Sequence, residues 1–281
     1  MMALAIQKVG GLCPAGSLDE VFLSLENGEL SDRAALAGEC DAAALRELAG
    51  LLPGTSLRRV PRPAKIALRA ALDAADLSSG PGALIISTAY GSAANTFEFL
   101  DSIIQDGAGL ASPTAFSHSV TNMIAAFVSQ GLRVTGPNLT VTQPSLTPAL
   151  EAASALLASG QAASVLWGTV SERSATMAEV EKRSGLAQNF LTDGAVFFQL
   201  ALPNPNRQET RLEFGPAFSA CGQDFAADDD LAETLGRGTL ALALRLALTS
   251  LFLEKSSTRP MSRTVTDGRE RLVVSRGGVT A

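Results

Sequence analysis

The chain has 281 residues, 46% of them hydrophobic, with a formal net charge of −6, which is enough to bury a sizeable core in one large domain or two small ones. The acidic balance, the scattered basic residues and a single Trp and Tyr exclude nucleic acid and an anionic membrane surface as partners. Three distant cysteines (Cys13, Cys40, Cys221) and one histidine give no Cys/His metal site, so neither metal nor cofactor is expected.

Residues 3–12 read as a strand ending at Cys13-Pro14. Ser17 followed by Glu20 has capping-box spacing, and Leu18, Val21, Phe22 and Leu25 recur at helical spacing behind it. A second helix over 41–52 is stopped by Pro53-Gly54, and an Ala-rich third covers 63–77. Residues 83–89 form a continuous apolar run bounded by glycine, the mark of a strand buried on both faces. A helix over 95–104, a loop through Pro113, a helix over 120–130 and a β-branched strand over 138–142 follow.

Thr147-Pro148 reads as an N-cap with proline at the first helical position, opening a helix to 158. Buried strands are expected at 163–170 and 194–202, and Pro203 to Gln208 reads as a loop, so no linker divides the chain. A strand at 211–214, a Leu/Ala-rich helix over 231–255 and a strand at 270–275 complete the order. Alternation at 240–244 could be an edge strand, but Ala and Leu favour helix. Asp228-Asp229-Asp230 fits a helix N-terminus better than a metal site, since three adjacent carboxylates do not converge on one ion. The most apolar window, 238–253, carries Arg245 and falls short of the ~20 residues of a membrane span. With an odd, low cysteine count and no signal-peptide pattern in the first eight residues, a cytoplasmic location is expected. Alternating strands and helices imply an α/β layered fold with a mostly parallel sheet and helices on its faces.

Several segments come in an order that resembles one family. Ser119 to Ala126, Gly131-Leu132-Arg133 and Gly136-Pro137-Asn138-Leu139-Thr140-Val141 resemble the approach to the active site of β-ketoacyl-acyl carrier protein synthases. The helix over 149–160, then Ala162 to Gly168, then Thr192-Asp193-Gly194-Ala195-Val196-Phe197-Phe198, are similar to the elements that close the first half of that thiolase-like fold. The resemblance implies a half or truncated synthase fold: one domain over 1–281, with a synthase N-terminal-half region over 1–202 and a shortened strand-helix-strand region over 203–281.

The departures bear on activity. A synthase nucleophile is a cysteine at the N-terminus of a helix, which lowers its pKa. Here Gln143-Pro144-Ser145 stands instead, and no cysteine lies between Cys40 and Cys221. Counting from Gly136 puts Ser145 at the nucleophile position; counting back from Ser159-Gly160 puts Gln143 there. Ser145 could act as a nucleophile or cap the next helix, and Gln143 could mimic a substituted nucleophile or be a plain turn residue. The family's second-half histidine pair is absent, and the lone His118 lies in the first half, where a hydrogen-bonded structural role competes with that of a base.

The chain is similar in this to chain-length factors of aryl-polyene and related polyketide clusters, non-catalytic homologues that pair with an active synthase. The resemblance implies a partner subunit of a fatty-acid or polyketide synthase, a pseudoenzyme in a dimer with that synthase, meeting acyl carrier protein. It further implies an acyl-tunnel gate on one helix, with Val120, Ile124, Phe127 and Val128 as its residues. Ordinary core is the competing account of that stripe. The alternative function is an acyltransferase, thioesterase or decarboxylase acting on acyl carrier protein thioesters.

Overall fold

The computed structural model describes residues 2–30, 38–143, 145–184, 193–214, 239–255, 261–266 and 271–276. In chain order, β1 (Met2–Cys13), β2 (Gly16–Ser17), α1 (Leu18–Glu26), α2 (Ala42–Leu51) and α3 (Arg62–Ala74) precede β3 (Ala83–Ser87). Next come α4 (Ala93–Asp106), a 3₁₀ turn (Ala108–Leu110), α5 (Pro113–Ser119), α6 (Met123–Leu132) and β4 (Asn138–Val141). Then α7 (Thr147–Ala158), β5 (Val165–Ser171), α8 (Ala175–Ser184), β6 (Gly194–Ala201) and β7 (Thr210–Phe214) lead to α9 (Thr239–Lys255), β8 (Met261–Thr266) and β9 (Arg271–Arg276).

Local chemistry accounts for many of these boundaries. The Glu20 N–H donates to the Ser17 hydroxyl while the Ser17 N–H donates to the Glu20 carboxylate at 2.7 Å, a complete capping box for α1. Asp41 accepts from the Ala43 N–H and starts α2. Ser112 accepts from the Ala115 N–H with Pro113 in the first turn, so a short helix, α5, stands where a loop was expected. The helix expected at 120–130 begins only at Met123, because Val120 is the residue that closes α5. The 240–244 segment is helical, as its Leu/Ala content favours. Strand β8 was not foreseen, and Cys221, Asp228, Asp229 and Asp230 lie outside the described residues.

All the described strands belong to one sheet, ordered β4-β3-β5-β6-β1-β7-β9-β8, with β2 beside β1. Only β3 pairs in parallel, with β4 on one side and β5 on the other. Every other pairing is antiparallel. The α/β layered architecture stands, but the expectation of a mostly parallel sheet is corrected to a mixed one. Its source is visible in β6, where every residue is buried. A continuous apolar run reports cover on both faces and does not report strand direction.

Cover comes from two helical layers. Leu4, Ile85, Trp167 and Phe198 face a layer containing α1, α7 and α9, whereas Leu84, Ile86, Leu166 and Phe197 face α2, α3 and α6. Consecutive Phe197 and Phe198 thus enter opposite cores, as the two-residue period of a strand requires. Each such side chain contributes roughly 1.5–3 kcal/mol on leaving water.

Two glycines let β4 and β5 lie this close to their neighbours. A Cβ on Gly136 would sit 1.8 Å from the Gly82 carbonyl oxygen, and one on Gly168 would sit 2.3 Å from the Phe197 ring. Arg133 ends α6 in the left-handed conformation, φ 56°, where an L side chain is disfavoured. Its exposed side chain makes Arg133→Gly an expected stabilisation of up to about 1 kcal/mol, since relief of the φ penalty outweighs the added chain entropy of glycine. Urea denaturation measures it, and a destabilised variant would contradict the left-handed assignment.

Candidate functional site

The two parallel pairings bring the carboxyl ends of β3, β4 and β5 to one edge of the sheet, with Ser87 in register with Val141 and Thr169. In open α/β sheets the ligand crevice lies outside such ends. Antiparallel β6 begins there, Gly194 opposite Ser171, and β1 finishes there, Leu12 opposite Ala195. Thr88, Gln143, Ser145, Glu172, Asp193 and Cys13 are therefore all placed along this one edge.

Between β4 and α7 the chain turns through Gln143, which is exposed, and Ser145, which is half-buried. Pro144 lies outside the described residues. The fully buried Leu146 takes the N-cap position of α7, and Thr147, expected there, is the first helical residue. Ser145 thus immediately precedes the cap, at the end where the free N–H groups of a helix favour negative charge. Gln143 stands two residues further out.

Cys13 and Cys40 are buried free thiols. Burial pushes the Cys13 pKa up to about 11 and, with the nearby Asp193 charge, that of Cys40 up to about 12. Both stay protonated at neutral pH and are poor nucleophiles. His118 lies in the last turn of α5 with its ring 5.9 Å from that of Phe127.

The residues expected to gate a tunnel do not share one stripe. Ile124 and Val128 are fully buried in the core layer that contains α3, Phe127 is half-buried at its margin, and Val120 is 37% exposed ahead of the helix. The expected stripe is corrected accordingly: the residue at its start follows a different helix.

Helices α4 and α5 are tied at their ends. The Ser92 hydroxyl donates to the His118 carbonyl at 2.6 Å and the Thr96 hydroxyl to the Ser119 carbonyl at 2.7 Å, while the Phe99 and Phe116 rings meet at 5.7 Å. This rigid pair presents apolar side chains to solvent. Ile104 is 80%, Leu110 77% and Phe116 57% exposed, with Phe97 and Leu100 beside them on α4 and Leu139 exposed on β4.

Asp193 is the centre that sequence reasoning missed. Fully buried, its carboxylate accepts from the Cys40 N–H at 2.9 Å and the Arg173 N–H at 2.7 Å and pairs with the Arg62 guanidinium. Arg62 also donates to the Cys40 carbonyl, 3.4 Å, and lies 3.6 Å from Glu39; the Asp193 N–H donates to the Gly38 carbonyl. One carboxylate so joins the 38–40 loop, α3, the turn after β5 and the start of β6. Beside it, burial first and the Asp193 charge second push the Glu172 pKa up to about 7. The only sequence signal was an acid bounded by an apolar strand, too common to single out. Asp193→Ala leaves the buried Cys40 N–H, the part-buried Arg173 N–H and a cation without their acceptor and is expected to cost about 3 kcal/mol. A denaturation midpoint equal to that of the parent would show the network to be dispensable.

Residues 32–174 match the family model of the β-ketoacyl synthase N-terminal domain. The chain belongs to the β-ketoacyl synthase family. Its fold is similar to that of the ishigamide ketosynthase/chain length factor, at 16% identity over 98% of each chain and a TM-score of 0.69. It is also similar to a ketosynthase (ApeO) in complex with its chain length factor (ApeC) from Xenorhabdus doucetiae, at 15% identity over 98% of this chain and 100% of that one, with a TM-score of 0.63. A third, AntDE:AntF, a type II polyketide synthase acyl-carrier protein in complex with its ketosynthase, aligns at 12% identity over 99% of each chain with a TM-score of 0.67. No curated protein matches the chain. Identities this low carry the fold, and the family's cysteine nucleophile is missing from the turn before α7. Among the described residues no helix is long and apolar enough to cross a membrane.

Proposed function

We propose that this synthase homologue is a non-condensing, chain-length-factor-like partner subunit of an active β-ketoacyl synthase in fatty-acid or polyketide assembly. The observation that carries the proposal is the edge of β4, among the described residues the last strand on its side of the sheet, with Leu139 exposed on it, in a chain that also exposes apolar residues on α4 and α5. An edge strand left without a neighbour is a liability in a lone monomer. A second subunit of the same fold, offering its own edge strand, would extend the sheet and cover that surface in an interface of the obligate class, above roughly 2,000 Å². The complexes named for the similar structures support this pairing and the involvement of acyl carrier protein. In this proposal residues 1–281 act as one cytoplasmic domain, 203–281 being its shortened C-terminal region.

The inventory of reactive groups supports the non-condensing part. Both described thiols are held protonated, and the single imidazole lies against the Phe127 ring. The placement of Ser145 directly before the α7 cap favours one alternative, an acyltransferase, thioesterase or decarboxylase working on carrier-protein thioesters. Intact-mass spectrometry after incubation with acyl carrier protein thioesters decides between them: no adduct is expected, and an acyl group on Ser145 overturns the non-catalytic assignment.

Pairing is tested by co-expression with a synthase encoded beside it. The two are expected to co-purify, and Leu139→Glu should weaken association at least about tenfold by placing a charge in an apolar interface, while thermal stability of the lone chain stays unchanged. Retained pairing would reject β4 as the contact. Of the proposed gate residues, Phe127 is the one at a core margin. Phe127→Ala is expected to lengthen the product of the pair with little loss of complex, and unchanged product length would make it core.

A further inference from the structure

Helices α4 and α5 are built into each other and only lightly into the rest of the chain. Among the described residues from Ala93 to Ser119 none is buried, whereas α3 buries most of its length. Burial is what fixes a helix to a core, at roughly 1.5–3 kcal/mol for each large apolar side chain. Within the pair the ties are specific. The Ser92 hydroxyl donates to the His118 carbonyl and accepts from the Asn95 amide at 2.9 Å, and the Thr96 hydroxyl donates to the Ser119 carbonyl. The Phe99 and Phe116 rings meet further along, and the 3₁₀ turn joins the other two ends. The segments leading into and out of the pair also meet each other. Gly91, at φ 60° ahead of α4, lies so near Thr121, behind α5, that a Cβ on it would be 3.1 Å from the Thr121 Cγ2. Outside the pair, α4 packs on α8 and α5 on α6, where the His118 ring lies 5.9 Å from that of Phe127.

We propose that α4 and α5 form a rigid two-helix lid that swings on the Gly91–Thr121 pivot and carries His118 on and off the Phe127 ring. Closed, the imidazole covers Phe127 at the margin of the core between α3 and α6. Open, the lid keeps its own hydroxyl bonds and ring contact, and Phe127 meets solvent. The lid stands on its own geometry and does not depend on the partner reading.

The pivot suits the motion. Hinges place a large change of φ and ψ on a few residues at the ends of elements, and glycine at position 91 makes that change without a Cβ to strain. The clamp suits it too. Its donors are the side chains of Ser92 and Thr96 and its acceptors are carbonyls at the far end of α5, so every bond in it lies inside the moving unit and none need break when the unit turns.

The test is residual dipolar couplings of backbone N–H groups in the full chain. Vectors of α4 and α5 are expected to fit one common alignment frame, at least about 20% weaker in magnitude than that of α6, because rigid-body swinging averages all of them alike. A magnitude equal to that of α6, or separate frames for α4 and α5 in the parent, overturns the proposal. Amide hydrogen exchange separates swinging from melting: the middle of α4 should exchange at least about tenfold more slowly than an unfolded peptide, and unprotected amides there overturn the lid. Ser92→Ala combined with Thr96→Val removes the clamp and should split the single frame into two, and a frame that stays single overturns the clamp as its cause. The parent measurements decide the swing by themselves should that variant fail to fold.

Discussion

The central strands β3, β5, β6 and β1 are covered on both faces, and a backbone so placed dictates what surrounds it. Every N–H and C=O must be answered within the sheet, and a helical layer must close each side. Residues 83–87 and 194–201 meet that demand with side chains buried without exception. The Trp167 indole, stacked on Phe198 at 4.9 Å, still finds the Ser87 hydroxyl for its N–H at 3.2 Å. Where the chain cannot spare room for a side chain it uses glycine, as at Gly168 under the Phe197 ring. Only the outer strands escape the two-sided requirement, and β4 is one of them.

That arrangement places chemistry and assembly side by side. The strand with an open edge is the one whose far end turns into α7, where the family has its nucleophile. Here Gln143 and Ser145 occupy the turn, and Cys13, which does reach the same edge of the sheet, is held as a thiol by burial. The edge strand and the turn stand side by side, while the turn holds no cysteine to form an acyl thioester. A helix N-terminus favours negative charge, but by an amount on the order of 1 kcal/mol, far too little to ionise a serine hydroxyl without a base.

Periodicity and end chemistry made much of the fold legible before any coordinates. The Ser17–Glu20 pair announced α1, Pro53-Gly54 marked the end of α2, and the apolar runs located β3, β5 and β6 within two residues. The misses have physical causes. Burial pattern carries no strand direction, so the expectation of a mostly parallel sheet fails at β6 and β1. α5 is a single capped turn or two with no apolar period to betray it, and overlooking it shifted the start of α6 and placed Val120 on the wrong helix. The nucleophile turn was legible as departing from the family, because a missing cysteine is a property of composition. The Asp193 clasp was not, because its partners, Cys40, Arg62 and Arg173, are brought together only by the fold, and two of the three offer backbone groups that no residue type reveals.

A buried carboxylate satisfied mainly by backbone N–H groups differs in kind from a surface ion pair. Its acceptors fix where loops sit relative to one another, and their geometry specifies the join even if an apolar substitute could match its energy. At Asp193 the four joined segments include the N-terminal end of α3 and the first residue ahead of β6, so the carboxylate registers one helical layer against the sheet edge where the family has its active site. If, as proposed, a partner reads that edge, the carboxylate is what holds it in shape.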